Sequence, residues 1–296
     1  MKSEAMASTA PEQSTYSFRK VVASWRGWWR RAVIGTVDQA AVIETRREES
    51  AITARYVFML AMSAGIAILG LLLSSPAVVI GAMLLSPLMG PIIGLGFALA
   101  TGHFGWIRQS ARALFLGTVL SILLCALIVV LSPLQTVTTE IAARTQPNLF
   151  DLLVALFSAL AGAYAMIRGR EGTVVGVAIA TALMPPLAVV GFGLATLNWT
   201  VFSGALLLYV TNLMTIALTA AIMARLYGFS TSLSEKQTHL QTALIVIAFV
   251  ALAVPLGLSL RKIAWEANAN RQINAAVLDA FDSRARLSHI EGNFDF

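Results

Sequence analysis

The sequence contains 296 residues, of which 57% are hydrophobic and 12% are charged, and its formal net charge is +6. Soluble domains carry about 25% charged residues, so this composition excludes an ordinary soluble domain and predicts a membrane protein. A positive charge can also indicate nucleic-acid binding, but here the basic residues cluster beside apolar runs, as in a protein whose partner is the lipid bilayer. We therefore expect no nucleic-acid partner.

The first segment of the chain, residues 1–54, is polar and includes a basic amphipathic stretch at 18–37. Two tryptophans lie on the apolar face of this stretch and three arginines on an adjacent arc: Trp25, Trp29, Arg26, Arg30 and Arg31. The pattern predicts a helix that lies on the cytoplasmic membrane surface and contacts anionic lipid headgroups. A helix packed on a partner subunit is the alternative, and the sequence leaves the oligomeric state open, a homo-oligomer included.

Seven apolar runs come close to the roughly twenty residues that cross a bilayer. They occupy residues 56–73, 77–101, 111–131, 150–167, 173–197, 201–226 and 242–260. The predicted fold is therefore an all-α polytopic membrane protein with about seven spans. Lysines and arginines concentrate in the N-terminal segment and in alternate connections, which predicts a cytoplasmic N-terminus. The extra span at 242–260 then leads to an external C-terminal helix and tail at 261–296.

An internal repeat appears when the chain is compared with itself at an offset of 95 residues. "VIGAMLLSPLMGPIIGLGFALAT" (79–101) and "VVGVAIATALMPPLAVVGFGLAT" (174–196) then agree at ten positions, which include a proline, two glycines and a phenylalanine. We interpret residues 55–131 and 150–226 as two copies of a three-helix unit. Three spans are an odd number, so the second copy enters the membrane from the opposite side. Inverted repeats of this kind are a recurring architecture of secondary transporters.

The second helix of each copy contains a proline pair and is expected to be broken. Proline lacks an N–H and disfavours α geometry in the residue before it, so the first copy should split near 87–91, and the second should separate 173–183 from 187–196. Lipid cannot satisfy the backbone groups freed at a break. We therefore predict a substrate-binding site formed by Ser86, Pro87, Gly90, Pro91, Thr181, Pro185 and Pro186. The alternative is a pair of kinks that only shape helix packing.

Asn212, in the sixth apolar run, is the remaining candidate for the site, because a buried amide needs several hydrogen-bond partners. A purely structural bond between helices is an equally good interpretation of this residue. No enzyme constellation is visible: the three histidines lie in separate connections or in the tail, with no adjacent carboxylate pair. We expect neither catalytic residues, nor a metal site, nor a cofactor.

The motifs "IGAMLLSPLMGPIIGLGFAL" (80–99), "ALAGAYAM" (159–166) and "ALMPPLAVVGFGLA" (182–195) resemble a bacterial family of hydrophobic membrane domains. This family is labelled domain of unknown function, number three-eight-nine. The resemblance extends over roughly residues 63–261 and implies a shared fold and a place in the bacterial inner membrane. It supplies neither an activity nor ligand residues, and some relatives have larger soluble ends than the tail of this chain.

The sequence favours a secondary transporter or channel-like carrier that binds a small solute or ion at the midplane, between the two broken helices. The alternative is a non-transporting membrane scaffold or sensor. A carrier needs a polar cavity at the breaks, whereas a scaffold is expected to be packed dry with its polar groups paired.

The basic stretch yields the first testable prediction. Each Lys or Arg near an anionic leaflet contributes about 1 kcal/mol to binding, so a peptide of residues 18–37 should bind vesicles that contain anionic lipid and should dissociate as salt screens the charges. Vesicle co-sedimentation over a salt series measures this. Binding that does not change with salt would show that the tryptophan face, and not the arginine arc, holds the peptide.

Overall fold

The computed structural model describes residue 32 and residues 34–169 and 182–229. The chain divides into two compact units, Met1–Asp38 and Gln39–Phe296. In the first unit the described part is a 3-10 turn at Ile34–Thr36. The five membrane-surface residues predicted between Trp25 and Arg31, the predicted span at 242–260 and the tail at 261–296 all lie outside the described residues.

Nine α-helices are described in the second unit. In chain order they are α1 (Gln39–Glu49), α2 (Ala54–Leu72), α3 (Pro76–Leu85), α4 (Met89–Thr101), α5 (Phe104–Leu131), α6 (Thr139–Ala142), α7 (Leu149–Ile167), α8 (Met184–Ala195) and α9 (Trp199–Leu226). Across the described ranges the regular structure is entirely helical.

Four of these helices, α2, α5, α7 and α9, are long and apolar enough to cross a membrane. Together α3 and α4 make a fifth candidate span, which is bent by 55° where the two helices meet. Large apolar side chains on α5 face outward, among them Phe115, Leu123 and Leu127, as expected where lipid is the solvent. The all-helical fold is thus confirmed, and the described part of the chain contains four or five candidate spans, which is consistent with a membrane protein.

The helix boundaries recur at the offset found in the sequence. The first and last residues of α7 lie 95 positions after those of α2, and the same offset relates α9 to α5. The first residue of α8 follows that of α4 by 95 positions as well. Left-handed backbone recurs in the same way, at Ser74 and Gly169 and again at Gly102 and Leu197. Residues 95 positions apart are called counterparts below.

The central contact of the bundle is a close crossing between α4 and α9. At Gly96 of α4, an added Cβ would lie 2.5 Å from the carbonyl oxygen of Ala217 and 2.6 Å from the Cβ of Ala220, both in α9. Only glycine allows two backbones to approach this closely.

The crossing of α8 with α5 repeats this contact. A Cβ added at Gly191 of α8 would lie 2.9 Å from the carbonyl oxygen of Ile122 and 2.5 Å from the Cβ of Cys125 in α5. Gly191 is the counterpart of Gly96, and its two contact residues are the counterparts of those that meet Gly96. Each short helix therefore packs on the long helix of the other half of the chain.

One end of the bundle is covered by α1. Trp106 Nε1, in the first turn of α5, donates to Ser50 Oγ at 3.1 Å, and Gln109 Nε2 donates to the carbonyl of Arg47 at 3.1 Å. Gln39 Nε2 donates to the carbonyl of Tyr227, the residue after α9, at 3.1 Å. The beginning of α5 and the end of α9 therefore lie at the same end.

The other end is covered by the segment that contains α6. Thr138 Oγ1 donates to the carbonyl of Leu71 at 2.8 Å, at the end of α2. The carbonyl of Thr145 lies against Gly204, near the beginning of α9. The counterpart helices α5 and α9 thus begin at different ends of the bundle.

The two crossings lead to the second prediction. Gly96→Ala and Gly191→Ala place a methyl group against backbone and should each lower the free energy of unfolding by about 1–3 kcal/mol, as overpacking does. Thermal unfolding of the purified chain in detergent measures the loss. Gly81→Ala is the matched control, because no atom lies within 4 Å of its added Cβ, and it should leave the melting temperature unchanged or raise it. Equal melting temperatures for all three variants would contradict the tight crossings.

Candidate functional site

The first candidate element is the break between α3 and α4. The first of these helices ends at Leu85, and Ser86 follows in an extended conformation, with φ −68° and ψ 120°. Pro87 explains this geometry, since its ring excludes the preceding residue from the α region. The predicted break near 87–91 is therefore present, between Leu85 and Met89.

The other prolines have a different role from the predicted one. Pro91 is the third residue of α4, while Pro185 and Pro186 are the second and third residues of α8. The first-turn N–H groups of a helix have no intrahelical acceptor, so proline costs no hydrogen bond there. For the same reason α8 begins at Met184, three residues before the predicted start at 187. Residues 170–181, which include Thr181 and the helix predicted to precede this one, lie outside the described residues.

A cleft of about 420 Å³ lies beside the first break and is called the first cleft. Ser86, Pro87 and Gly90 line it, together with charged residues from the end of α1 and the start of α2, namely Glu48, Glu49 and Arg55. These three charged side chains are exposed. The hydroxyl of Ser86 is buried and has no hydrogen-bond partner among the described residues.

A second cleft, of about 500 Å³, lies where α8 begins. Its lining includes Ala182, Pro186 and Asn212, together with the charged side chains of Glu140, Arg144 and Asp151. The two clefts are related by the offset of the helices, because Tyr56, Met59 and Pro87 line the first cleft while their counterparts Asp151, Val154 and Ala182 line the second. Both volumes are within the range of small-molecule sites, roughly 300–1,000 Å³.

The charged groups of the second cleft are held in place by local hydrogen bonds. Arg144 Nη1 lies 2.8 Å from Glu140 Oε2, and both side chains are about one-fifth exposed. Asp151 caps α7: its Oδ2 accepts the N–H of Asn148 at 3.0 Å, and Asn148 Oδ1 accepts the N–H groups of Phe150 and Asp151. This reciprocal capping box fixes the position of the carboxylate.

Asn212 is 3% exposed and contributes an amide to the second cleft. Its Nδ2 donates to the carbonyl of Ala182 at 2.8 Å, whereas its Oδ1 has no partner in the described part of the chain. The neighbouring threonines are satisfied locally, since Thr211 and Thr215 donate to carbonyls one turn earlier. Asn212 therefore joins α9 to the backbone just before α8, and it leaves one buried acceptor in the cleft.

The predicted site residues divide between the two clefts. Ser86, Pro87 and Gly90 line the first cleft, and Pro186 and Asn212 line the second. Pro91 and Pro185 are buried in the first turns of their helices.

Sequence reasoning did not single out Glu140 and Arg144, and it treated Asp151 only as a residue at the end of a span. Two sequence signals could have identified them. Glu140 and Arg144 have the i,i+4 spacing of a helical ion pair, and Asn148 with Asp151 has the spacing of a capping box.

Residues 83–218 match the family described as "Domain of unknown function (DUF389)". The resemblance carried by the proline motifs is thus confirmed. The chain is also 28% identical over 174 residues to an uncharacterized protein of Methanocaldococcus jannaschii, and the match covers 59% of this chain and 54% of that protein.

The chain therefore spans about half the length of that relative. No solved structure matches the chain. Because the family is one of unknown function, any function has to be argued from the geometry of the two clefts.

Proposed function

We propose that this chain is a secondary transporter or channel-like carrier of a small solute or ion, built from two inverted repeats. In this proposal residues 55–131 and 150–226 are the repeats, and the two clefts are the opposite entrances of one substrate path. The protein is placed in the bacterial inner membrane, with a cytoplasmic N-terminus and an external C-terminus. The remaining predicted spans, at 173–197 and 242–260, complete the seven.

Three observations support the inverted arrangement. Counterpart helices have the same boundaries at a constant offset, and the crossings at Gly96 and Gly191 use counterpart residues. Moreover, α5 begins beside α1 whereas α9 begins beside the α6 segment. A pseudo-two-fold axis in the membrane plane relates helices in this way.

The observation that carries the transport proposal is the position of the clefts. Each cleft adjoins the beginning of a short helix, α4 or α8, and each is lined by polar residues from the segment that covers its own end of the bundle. A non-helical backbone at membrane depth is tolerated where protein or a water-filled cavity satisfies it. One cleft at the start of each short helix, at opposite ends of the bundle, supports a substrate path that can be entered from either side.

Two buried polar atoms that lack a hydrogen-bond partner among the described residues favour this proposal over a scaffold with a dry interior. Many buried polar groups are paired, for example Ser63 Oγ, which donates to the carbonyl of Ala82 at 2.7 Å. Ser86 Oγ and Asn212 Oδ1 have no partner among the described residues, and both residues line clefts. The hydroxyls of Ser110, Ser121 and Thr219 also lack one, but each lies in a helix where a change of rotamer brings a carbonyl one turn earlier within reach.

The third prediction tests the break. Replacing Pro87 and Pro91 together by alanine restores two N–H groups and lets α3 and α4 join into one helix, which should abolish solute binding and flux. The readouts are the melting temperature of the purified chain against a panel of inorganic ions, amino acids and organic acids, and flux of each hit in proteoliposomes. A bound solute raises the melting temperature by mass action.

Pro76→Ala is the matched control, since Pro76 lies in the first turn of α3 and lines neither cleft. The control should respond to the solute as the parent chain does. Undiminished binding and flux in the double variant would contradict a role for the break, and the absence of any hit in the parent chain would favour a scaffold or sensor.

A further inference from the structure

The second cleft differs from the first in the burial of its charges. Glu140, Arg144 and Asp151 are all half-buried, whereas the charged residues of the first cleft are exposed. Charges in a partly desolvated cleft interact more strongly with a ligand than charges on an open surface. Of the two clefts, the second therefore has the lining that would distinguish ligands more strongly by their charge.

The arginine of this cleft, Arg144, forms an ion pair with Glu140. Arg144 Nη1 donates both to Glu140 Oε2 and to the carbonyl oxygen of the same residue. Arg144 also interacts electrostatically with Asp151, so one basic and two acidic side chains share the lining. The formal net charge of the lining is therefore −1.

The two helix N-termini at the cleft are not free to hold an anion. The first-turn N–H groups of Phe150 and Asp151 in α7 already donate to Asn148 Oδ1. In α8, the second and third residues are Pro185 and Pro186, which have no N–H to offer. The usual anion site at a helix N-terminus needs several such donors, whereas each helix here has at most the N–H of its first residue, Leu149 or Met184, left to offer.

The remaining group of the cleft is an acceptor. Asn212 uses its Nδ2 to donate to Ala182, which leaves the buried Oδ1 without a partner in the described ranges. A buried acceptor of this kind is costly unless a donor or a cation meets it. Its lone pairs and the Asp151 carboxylate are oxygen ligands of the type that hard cations prefer.

The first half of the chain indicates how these two residues face each other. There, the Tyr56 hydroxyl donates to the carbonyl of Ala113 at 3.0 Å and lies against Gly117. Asp151 and Asn212 are the counterparts of Tyr56 and Gly117. A short acid in place of the tyrosine leaves room between the two helices, and the asparagine supplies an oxygen to that space.

We propose that the second cleft binds a small cation of single positive charge, an alkali ion or an ammonium group, between the Asp151 carboxylate and Asn212 Oδ1. This proposal rests on the proposed function and names the class of its substrate or coupling ion. A single charge matches the net charge of the cleft. The described residues also contain no group of three His, Cys, Asp or Glu side chains that could hold a metal ion, as a strongly bound divalent cation generally requires.

The fourth prediction concerns the full-length chain in detergent at constant ionic strength. The chlorides of sodium, potassium, ammonium and methylammonium are compared with N-methyl-D-glucamine chloride, and sodium chloride is compared with sodium sulfate, phosphate and glutamate. At least one small cation should raise the melting temperature by a few degrees relative to N-methyl-D-glucamine. Exchange of the anion should give only the general stabilisation of sulfate and phosphate, equal in the parent chain and in Asp151→Asn. Comparison of the sodium and potassium salts with the ammonium and methylammonium salts shows whether an alkali ion or an ammonium group binds.

Asp151→Asn removes the charge but retains an oxygen that can accept the N–H of Asn148. It should weaken the apparent cation affinity by about tenfold or more, as loss of a charged contact does. Glu44→Gln is the matched control, because Glu44 is exposed on α1 and lines neither cleft, and it should keep the full response. Should Asp151→Asn fail to fold, the salt series on the unmodified chain still separates cations from anions.

Three outcomes would overturn the cation site. Stabilisation by anions alone, lost in Arg144→Gln, would contradict it while leaving transport through the clefts intact. A cation response that is unchanged in Asp151→Asn would place the cation elsewhere. Failure of every ion and every solute of the wider panel to stabilise the chain would count against the transport proposal as well.

Discussion

The constraint on which this structure depends is that hydrocarbon offers no hydrogen bonds to a polypeptide backbone. A span interrupted at Ser86 and Pro87 is stable only where protein or water meets the freed groups. The chain covers this break with α1, whose last residue, Glu49, brings its carbonyl against Gly90. Ser50 packs against Gly94 and is held there by its hydrogen bonds to Arg46 and Trp106. The polar helix α1 is thus packed into the bundle and covers the break.

The same constraint explains why the close crossings at Gly96 and Gly191 matter. In lipid, helices associate through packing and hydrogen bonds and gain little from apolar burial. By packing each short helix on the long helix of the other half, the fold holds α4 and α8 at fixed positions. The two clefts adjoin the beginnings of these helices.

Divergence between the two halves gives the clefts different chemistry. Where the first half places Tyr56 against Gly117, the second has Asp151 and Asn212. Tyrosine closes the space between α2 and α5 and pairs its hydroxyl with a backbone carbonyl. In the second half, a carboxylate and an amide oxygen line the corresponding cleft. The two clefts therefore share a backbone arrangement but differ in their polar lining.

The apolar helices and their 95-residue offset could be predicted from the sequence, because hydropathy and internal similarity follow from local residue patterns. The break at Pro87 was predictable for the same reason, since the effect of proline on the preceding residue is local. The start of α8 at Met184 was not, because proline is tolerated in a first turn and only the fold decides where that turn lies. The charged lining of the second cleft was missed because α6 is a four-residue helix in a polar connection. The ion pair becomes part of a cleft only because tertiary packing places it near Asn212.

The central claim is that the two clefts open to opposite sides of the membrane, and site-directed labelling tests it most directly. In a Cys125→Ser background, single cysteines replace Glu48 of the first cleft and Ala143 of the second, both of which are exposed. Intact cells are treated with a membrane-impermeant maleimide. The account predicts that Ala143→Cys reacts in intact cells and that Glu48→Cys reacts only after permeabilisation. Reaction of both from the same side would contradict it.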